Sequence, residues 1–201
     1  MSQTPHAAAP LSRHEAQPLS DQTLIAQIAA GNRLAMRALF ARHQVRVYRF
    51  VVRILRDGAL AEDVVSEVFF DAWQHAARFE GRSSVSTWLL GIARHKALSA
   101  CHRRPTESLD CEMAQNVADP KNNPEVELDR RDTGAVIRRC LSALSREHAE
   151  IIDLVYYQEK SIKEIVEILG IPDNTVKTRM FYARKRLAAL VAAEGIDRAA
   201  A

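Results

Sequence analysis

From Asp21 onward the apolar residues recur at helical spacing, and no window shows the strict alternation of a half-buried strand. Leu24, Ile25 and Ile28 precede Gly31; a long second segment carries Leu39, Phe40, Val47, Phe50, Val51, Ile54 and Leu55 and stops at Asp57-Gly58. The pattern predicts a third helix over about 60–74 and a fourth over about 87–104, separated by the turn-rich stretch Glu80-Gly81-Arg82-Ser83-Ser84. Helical spacing resumes at about 132–143, 146–158, 161–169 and 174–192. The expected fold is therefore all-α: two small helical domains, 20–104 and 132–195, joined by a flexible linker, the second containing a helix-turn-helix.

The punctuation agrees with that division. Six of the seven prolines fall at positions 5, 10 and 18 and at 105, 120 and 124, which marks 1–19 as a disordered tail and 105–131 as the linker. In a chain of 201 residues, 47% hydrophobic and 26% charged residues exclude collagen, a wholly disordered chain and a disulfide scaffold. No apolar run approaches the ~18–20 residues of a membrane span, and the first 20 residues lack the apolar core of a signal peptide, so a cytoplasmic protein without membrane insertion is expected. Cys101, Cys111 and Cys140 are an odd count with no Cys-x-x-Cys spacing. Together with His95 and His102 they form no local ligand set, and neither a metal, a cofactor nor a catalytic residue is expected.

Charge adds what periodicity cannot. The net +3 divides unevenly: residues 1–104 carry 14 Lys and Arg against 8 Asp and Glu, residues 105–130 carry 2 against 7, and residues 131–201 carry 12 against 10. A basic first half suits a polyanionic partner such as nucleic acid.

Two helices then show one design with opposite signs. In LAEDVVSEVFFDAWQ, Val65, Val68, Phe69 and Ala72 form a core stripe, while Asp63, Glu67, Phe70 and Gln74 line the far face. Carboxylates around an exposed phenylalanine suit a protein partner. Near the C-terminus, Ile162, Ile165, Val166 and Leu169 make one buried face, Gly170 supplies a left-handed stop, and Pro172-Asp173-Asn174 restarts a helix through an Asp or Asn cap. That is a helix-turn-helix. Its second helix turns Val176, Met180, Ala183 and Leu187 to the core and Asn174, Thr178, Phe181 and Lys185 outward, flanked by Lys177, Arg179, Arg184 and Arg186. A ring opposite the core stripe fits thymine methyl groups in a major groove, with the basic residues on phosphates.

A third feature is RFEGRSSVSTWLLGIARHKALSACHRR, where a Gly/Ser-rich loop precedes a helix bearing Trp88, Arg94, His95 and Lys96. Aromatic and basic side chains around such a loop are what unstacked, single-stranded bases require, and the loop lies between Phe79 and Trp88, where an extruded base could enter.

AEDVVSEVFFDAW with RFEGRSSVSTWLLGIARHKAL, followed after the linker by LSREHAEIIDLVYYQEKSIKEIVEILGIPDNTVKTRMFYARKRL, resembles the extracytoplasmic-function sigma factors of the bacterial sigma-70 family. The likeness spans about 20–104 and 132–192. The resemblance implies a non-enzymatic initiation subunit that binds core RNA polymerase through the β′ clamp helices and β flap, and directs transcription from particular promoters in a stress or envelope response. It also implies an anti-sigma factor as a second partner. By the same likeness Asp63, Ser66, Glu67 and Phe70 meet polymerase. Arg82, Ser83, Ser84, Trp88, Arg94, His95 and Lys96 meet the melted −10 strand. Asn174, Thr175, Lys177, Thr178, Arg179, Phe181, Arg184 and Lys185 meet the −35 duplex. Ser66, His95 and Val166 depart from the Gln, Asn and Ala that the family often has there. A one-component helix-turn-helix regulator is the alternative; it accounts for 161–187 but leaves the acidic face and the loop 80–87 without a role.

Overall fold

The computed structural model describes residues 19–103 and 134–195, so the expectations for residues 1–18, the linker and Cys111 lie outside the described residues. Eight α-helices are found there: α1 Asp21–Ala29, α2 Arg33–Leu55, α3 Gly58–His75, α4 Val85–Arg103, α5 over 134–142, α6 Arg146–Ile152, α7 Ile162–Leu169 and α8 Asp173–Ala193. No strand occurs among the described residues.

Side-chain caps set most of the boundaries. Ser20, Asn32 and Asp57 accept hydrogen bonds from the first free backbone N–H groups of α1, α2 and α3, each such cap contributing about 1 kcal/mol. Ser84 accepts from the Thr87 N–H at 3.2 Å, which starts α4 two residues before the predicted Thr87. Gly170, at φ 65°, closes α7 as expected. The restart of α8 differs from expectation: Pro172 occupies the cap position and no side chain caps the helix. Its fixed φ sets the entry to the helix and its carbonyl accepts from the Val176 N–H at 3.0 Å. Asp173 sits in the first turn, where its charge complements the helix dipole.

A second difference lies at 146–158, predicted as one helix. The α-helix stops at Ile152 and the chain widens into a π-helical turn, Asp153–Tyr157. The Gln158 N–H reaches back to the Asp153 carbonyl at 3.0 Å. Asp153 and Leu154 are thereby held inside while Tyr156 and Tyr157 remain exposed.

The core stripes fall where the period placed them. Val65, Val68, Phe69 and Ala72 are buried in α3, Ile165 and Leu169 in α7, and Val176 and Ala183 in α8, with Met180 and Leu187 packed against them. Phe50, Leu39, Val47 and Leu89 complete the packing of α1–α4; Leu144, Ile151 and Leu154 complete that of the later helices. The buried residues form one connected cluster, because α7 packs on α4 and α6 on α2.

Candidate nucleic-acid and polymerase interfaces

Three surfaces carry the candidate residues. On α3, Asp63, Ser66, Glu67 and Phe70 are all exposed, with Phe70 60% accessible. Phe69, its neighbour in sequence, is buried edge-on against Phe40, the centroids 4.8 Å apart. The Ser66 hydroxyl donates to the Glu62 carbonyl at 3.1 Å. Glu67 also faces α4, 3.5 Å from the Lys96 ammonium.

On α8, Asn174, Thr175, Lys177, Thr178, Phe181, Arg184 and Lys185 are exposed, and Phe181 is 62% accessible with Tyr182 edge-on at 5.4 Å. Lys177 pairs with Asp173 one turn earlier at 2.9 Å, an exposed contact of small energetic weight. Arg179 differs from its neighbours: it is half-buried, and its guanidinium lies 3.1 Å from Glu147 of α6. Arg184 instead reaches the Met180 sulfur and lies near the Tyr156 ring.

The third surface is the loop before α4 and the first turns of that helix. Arg82 is exposed and pairs with Glu80 at 2.5 Å. Phe79 and Trp88, which flank the loop in sequence, pack together with ring centroids 5.0 Å apart. A shallow cleft does open beside them, lined by Ser83, Thr87, Trp88 and His95 on one side and Glu167 of α7 on the other. His95 is exposed, whereas Lys96 is drawn to α3, 3.0 Å from Asp71. The Asp71 hydrogen bond raises the Lys96 pKa above the ordinary lysine value, with burial opposing and the Asp71 and Glu67 charges assisting.

Sequence reasoning missed the residues of the second half that bond to this loop and to α4. Glu164 Oε1 accepts from the Thr87 hydroxyl at 2.6 Å and from the Ser84 hydroxyl at 3.1 Å. Its other oxygen accepts from Ser161 in a capping box at the start of α7. Burial raises the Glu164 pKa, but the Thr87, Ser161 and Lys160 donors outweigh it and hold the group at about 2. The Lys160 ammonium donates to Ser86 at 2.5 Å. Arg94 donates to buried Glu150 of α6 at 2.7 Å. A signal was present in the sequence: Glu150 and Asp153 interrupt the apolar run Ala149 to Val155 at positions one turn apart, and Ser161 precedes Glu164 at capping-box spacing.

Among the described residues no cluster of three or more His, Cys, Asp or Glu could hold a metal, and no helix is long and apolar enough to cross a membrane.

Comparison with known proteins gives the same pattern throughout. Residues 39–105 match Sigma-70 region 2 and residues 135–187 match Sigma-70 region 4. The chain is 33% identical over 175 residues to the ECF RNA polymerase sigma factor SigL of Mycobacterium tuberculosis, covering 85% of this chain and 96% of that protein. It is 27% identical to SigK of Mycobacterium bovis, again an ECF RNA polymerase sigma factor, over 82% of this chain and 89% of SigK. Among solved structures, CnrH in complex with the cytosolic domain of CnrY superposes with a TM-score of 0.64 at 25% identity, over 86% of this chain and 97% of that one. The sigma factor RpoE of Bartonella quintana, solved with the anti-sigma factor NepR, shares the fold with a TM-score of 0.57 at 22% identity, over 79% and 97%.

Proposed function

Since the chain belongs to the extracytoplasmic-function sigma factors of the sigma-70 family, we propose a division of labour among its three surfaces. The outer face of α3 docks on core RNA polymerase through Asp63, Ser66, Glu67 and Phe70. The loop 80–87 and the start of α4 take the melted −10 strand, and α8 reads the −35 duplex. The observation that carries this reading is the pair of exposed phenylalanines, Phe70 and Phe181, each opposite a buried stripe and ringed by charge of opposite sign. An exposed ring costs solubility unless something covers it, and the surrounding charge selects what does.

Within α8, Lys177, Thr178 and Phe181 are exposed and can reach base edges and thymine methyls, Lys177 by exchanging its surface pairing with Asp173. Arg179, tied to Glu147, braces α8 against α6 instead. Strand opening costs a few kcal/mol per unstacked base, which stacking at Trp88 and phosphate contacts from Arg82 offset. No chemistry of the chain's own is needed, so the protein acts in the cytoplasm as a non-enzymatic subunit. An anti-sigma factor is its natural second partner, as NepR is for RpoE, and release from it in a stress or envelope response would start transcription.

The deciding experiment is transcription by purified core polymerase with and without this chain on genomic DNA, followed by mapping of 5′ ends. A discrete set of new starts sharing −10 and −35 sequences is expected. Sequence-specific DNA binding without co-purification of polymerase would favour the one-component regulator instead.

A further inference from the structure

Helix α2 is charged with one sign. From Arg33 to Leu55 it carries Arg33, Arg37, Arg42, Arg46, Arg49 and Arg53 and no Asp, Glu or Lys. Arg42 is paired with Asp21 of α1, and Arg53 with Asp153 of the π-helical turn. The side chains of Arg33, Arg37, Arg46 and Arg49 have no ion pair or hydrogen bond among the described residues. Between these four runs an apolar row that no other helix covers. Leu34, Ala38, Ala41 and Val45 fall at i, i+4, i+7 and i+11, a line about 16 Å long on one side of the helix. All four are exposed, Leu34 at 72% and Val45 at 53%, while Leu39, His43, Val47 and Phe50 on the other side are buried. Helical spacing puts Arg33 and Arg37 on one flank of the row and Arg46 and Arg49 on the other.

Shape and charge together define what fits there. Ala38 and Ala41 make a low floor between the projecting Leu34 and Val45, and small side chains at a contact let a second helix axis come close. A phosphate backbone gains nothing from an aliphatic row, and α2 has no Asn, Ser or Thr to read base edges, in contrast to α8 with Asn174 and Thr178. Arginine on both flanks selects carboxylates on both edges of whatever lies between them. We propose that this face of α2 seats an acidic amphipathic helix of a protein partner, its apolar stripe on Leu34, Ala38, Ala41 and Val45 and its Asp or Glu side chains on Arg33, Arg37, Arg46 and Arg49. The row shares no residue with the outer face of α3, the loop 80–87 or α8. Phe40, which meets α3 through Phe69, leaves α2 about a third of a turn away from it. The partner can therefore ride on the chain while core polymerase and promoter DNA hold the other surfaces. That simultaneity rests on the assignment of those surfaces under the proposed function; the docking of the helix does not.

The test uses the full chain and two labelled synthetic peptides of about three heptads, both with Leu and Ala on the apolar stripe, one with Glu and the other with Lys along its edges. Fluorescence anisotropy reads their binding. The Glu peptide should bind at least about tenfold more tightly than the Lys peptide, with the preference shrinking as salt is added. Arg37→Glu with Arg46→Glu should invert the preference, and Leu34→Ser with Val45→Ser should weaken the Glu peptide about tenfold. Should the charge reversal lose helicity by circular dichroism, Arg37→Gln with Arg46→Gln takes its place and should abolish the preference. Saturating Glu peptide should change the chain's binding to core polymerase by less than about twofold. Equal affinity for the two peptides overturns the proposal, as does a preference that survives the charge reversal. Duplex DNA of unrelated sequence, a second copy of the chain in sedimentation, or a peptide of residues 105–130 overturns it too if its binding is lost on Leu34→Ser with Val45→Ser, because the row then has that occupant. A Glu peptide that displaces polymerase makes the row part of the polymerase face and also overturns it. Failure of the α3 assignment is read separately, as unchanged polymerase binding by Phe70→Ala, and leaves the peptide results as they stand.

Discussion

Helices α3 and α8 are built alike and charged oppositely. Each buries an apolar stripe and sets one phenylalanine on the far side, Phe70 at 60% and Phe181 at 62% exposure. Around Phe70 stand Asp63 and Glu67; around Phe181 stand Lys177, Arg184 and Lys185. The stripe anchors the helix, the ring offers apolar area to a partner, and the charge decides between a protein and a polyanion. The difference teaches that burial and recognition are separate properties of one helix, divided between faces about half a turn apart.

That separation breaks most visibly at the neighbours Phe69 and Phe70. Phe69→Ala removes a buried ring packed on Phe40 and should cost about 3–5 kcal/mol in urea unfolding. Phe70→Ala should change stability by no more than ~0.5 kcal/mol. It should, however, weaken core-polymerase binding by about 2 kcal/mol, roughly 30-fold, the size expected of an aromatic anchor. Asp63→Ala with Glu67→Ala should act in the same direction. Equal competition for core enzyme by all three variants would remove α3 as the docking face.

On the basic side, Phe181→Ala should cost about 1–3 kcal/mol of discrimination at promoters that depend on the upstream element, read as lost protection in footprints. Helix content should be unaffected. Unchanged upstream protection would return Phe181 to an ordinary surface residue.

The contact of Glu164 with the loop before α4 supplies a smaller effect. Glu164 titrates near 2 in the folded chain against an ordinary value of 4.5, so its contribution is fully present above about 4.5 and is lost as the pH falls from there through about 2. Thr87→Val keeps the shape and deletes the 2.6 Å donor. Its stability should therefore depend less steeply on pH in that window than the wild type's, and parallel unfolding curves from pH 5 to pH 2 would rule out this contribution.

The smallest change concerns salt. Lys177→Ala should lower the salt slope of duplex binding by about one counterion if Lys177 meets a phosphate, and leave it unaltered if it meets a base edge. Titration of binding against salt separates the two.

Periodicity determined the helices, their buried stripes and the outward faces of α3 and α8, because each is settled by residues three and four apart on one helix. Chemistry legible on those faces followed with it: Asp63, Glu67, Phe70, Lys177, Thr178 and Phe181 are exposed as the spacing required. Only the tertiary structure decided which partners Arg94, Lys96 and Arg179 meet within the chain. Their partners, Glu150, Asp71 and Glu147, belong to other helices, and no spacing within one helix encodes such a pairing. The same holds for the π-helical turn, where Asp153 meets Arg53 across a hundred residues of chain. Glu164 belongs to both accounts. Its capping role is local and written at Ser161, while its hold on Thr87 exists only because α7 packs on α4, a choice made by the fit of two apolar surfaces distant in sequence.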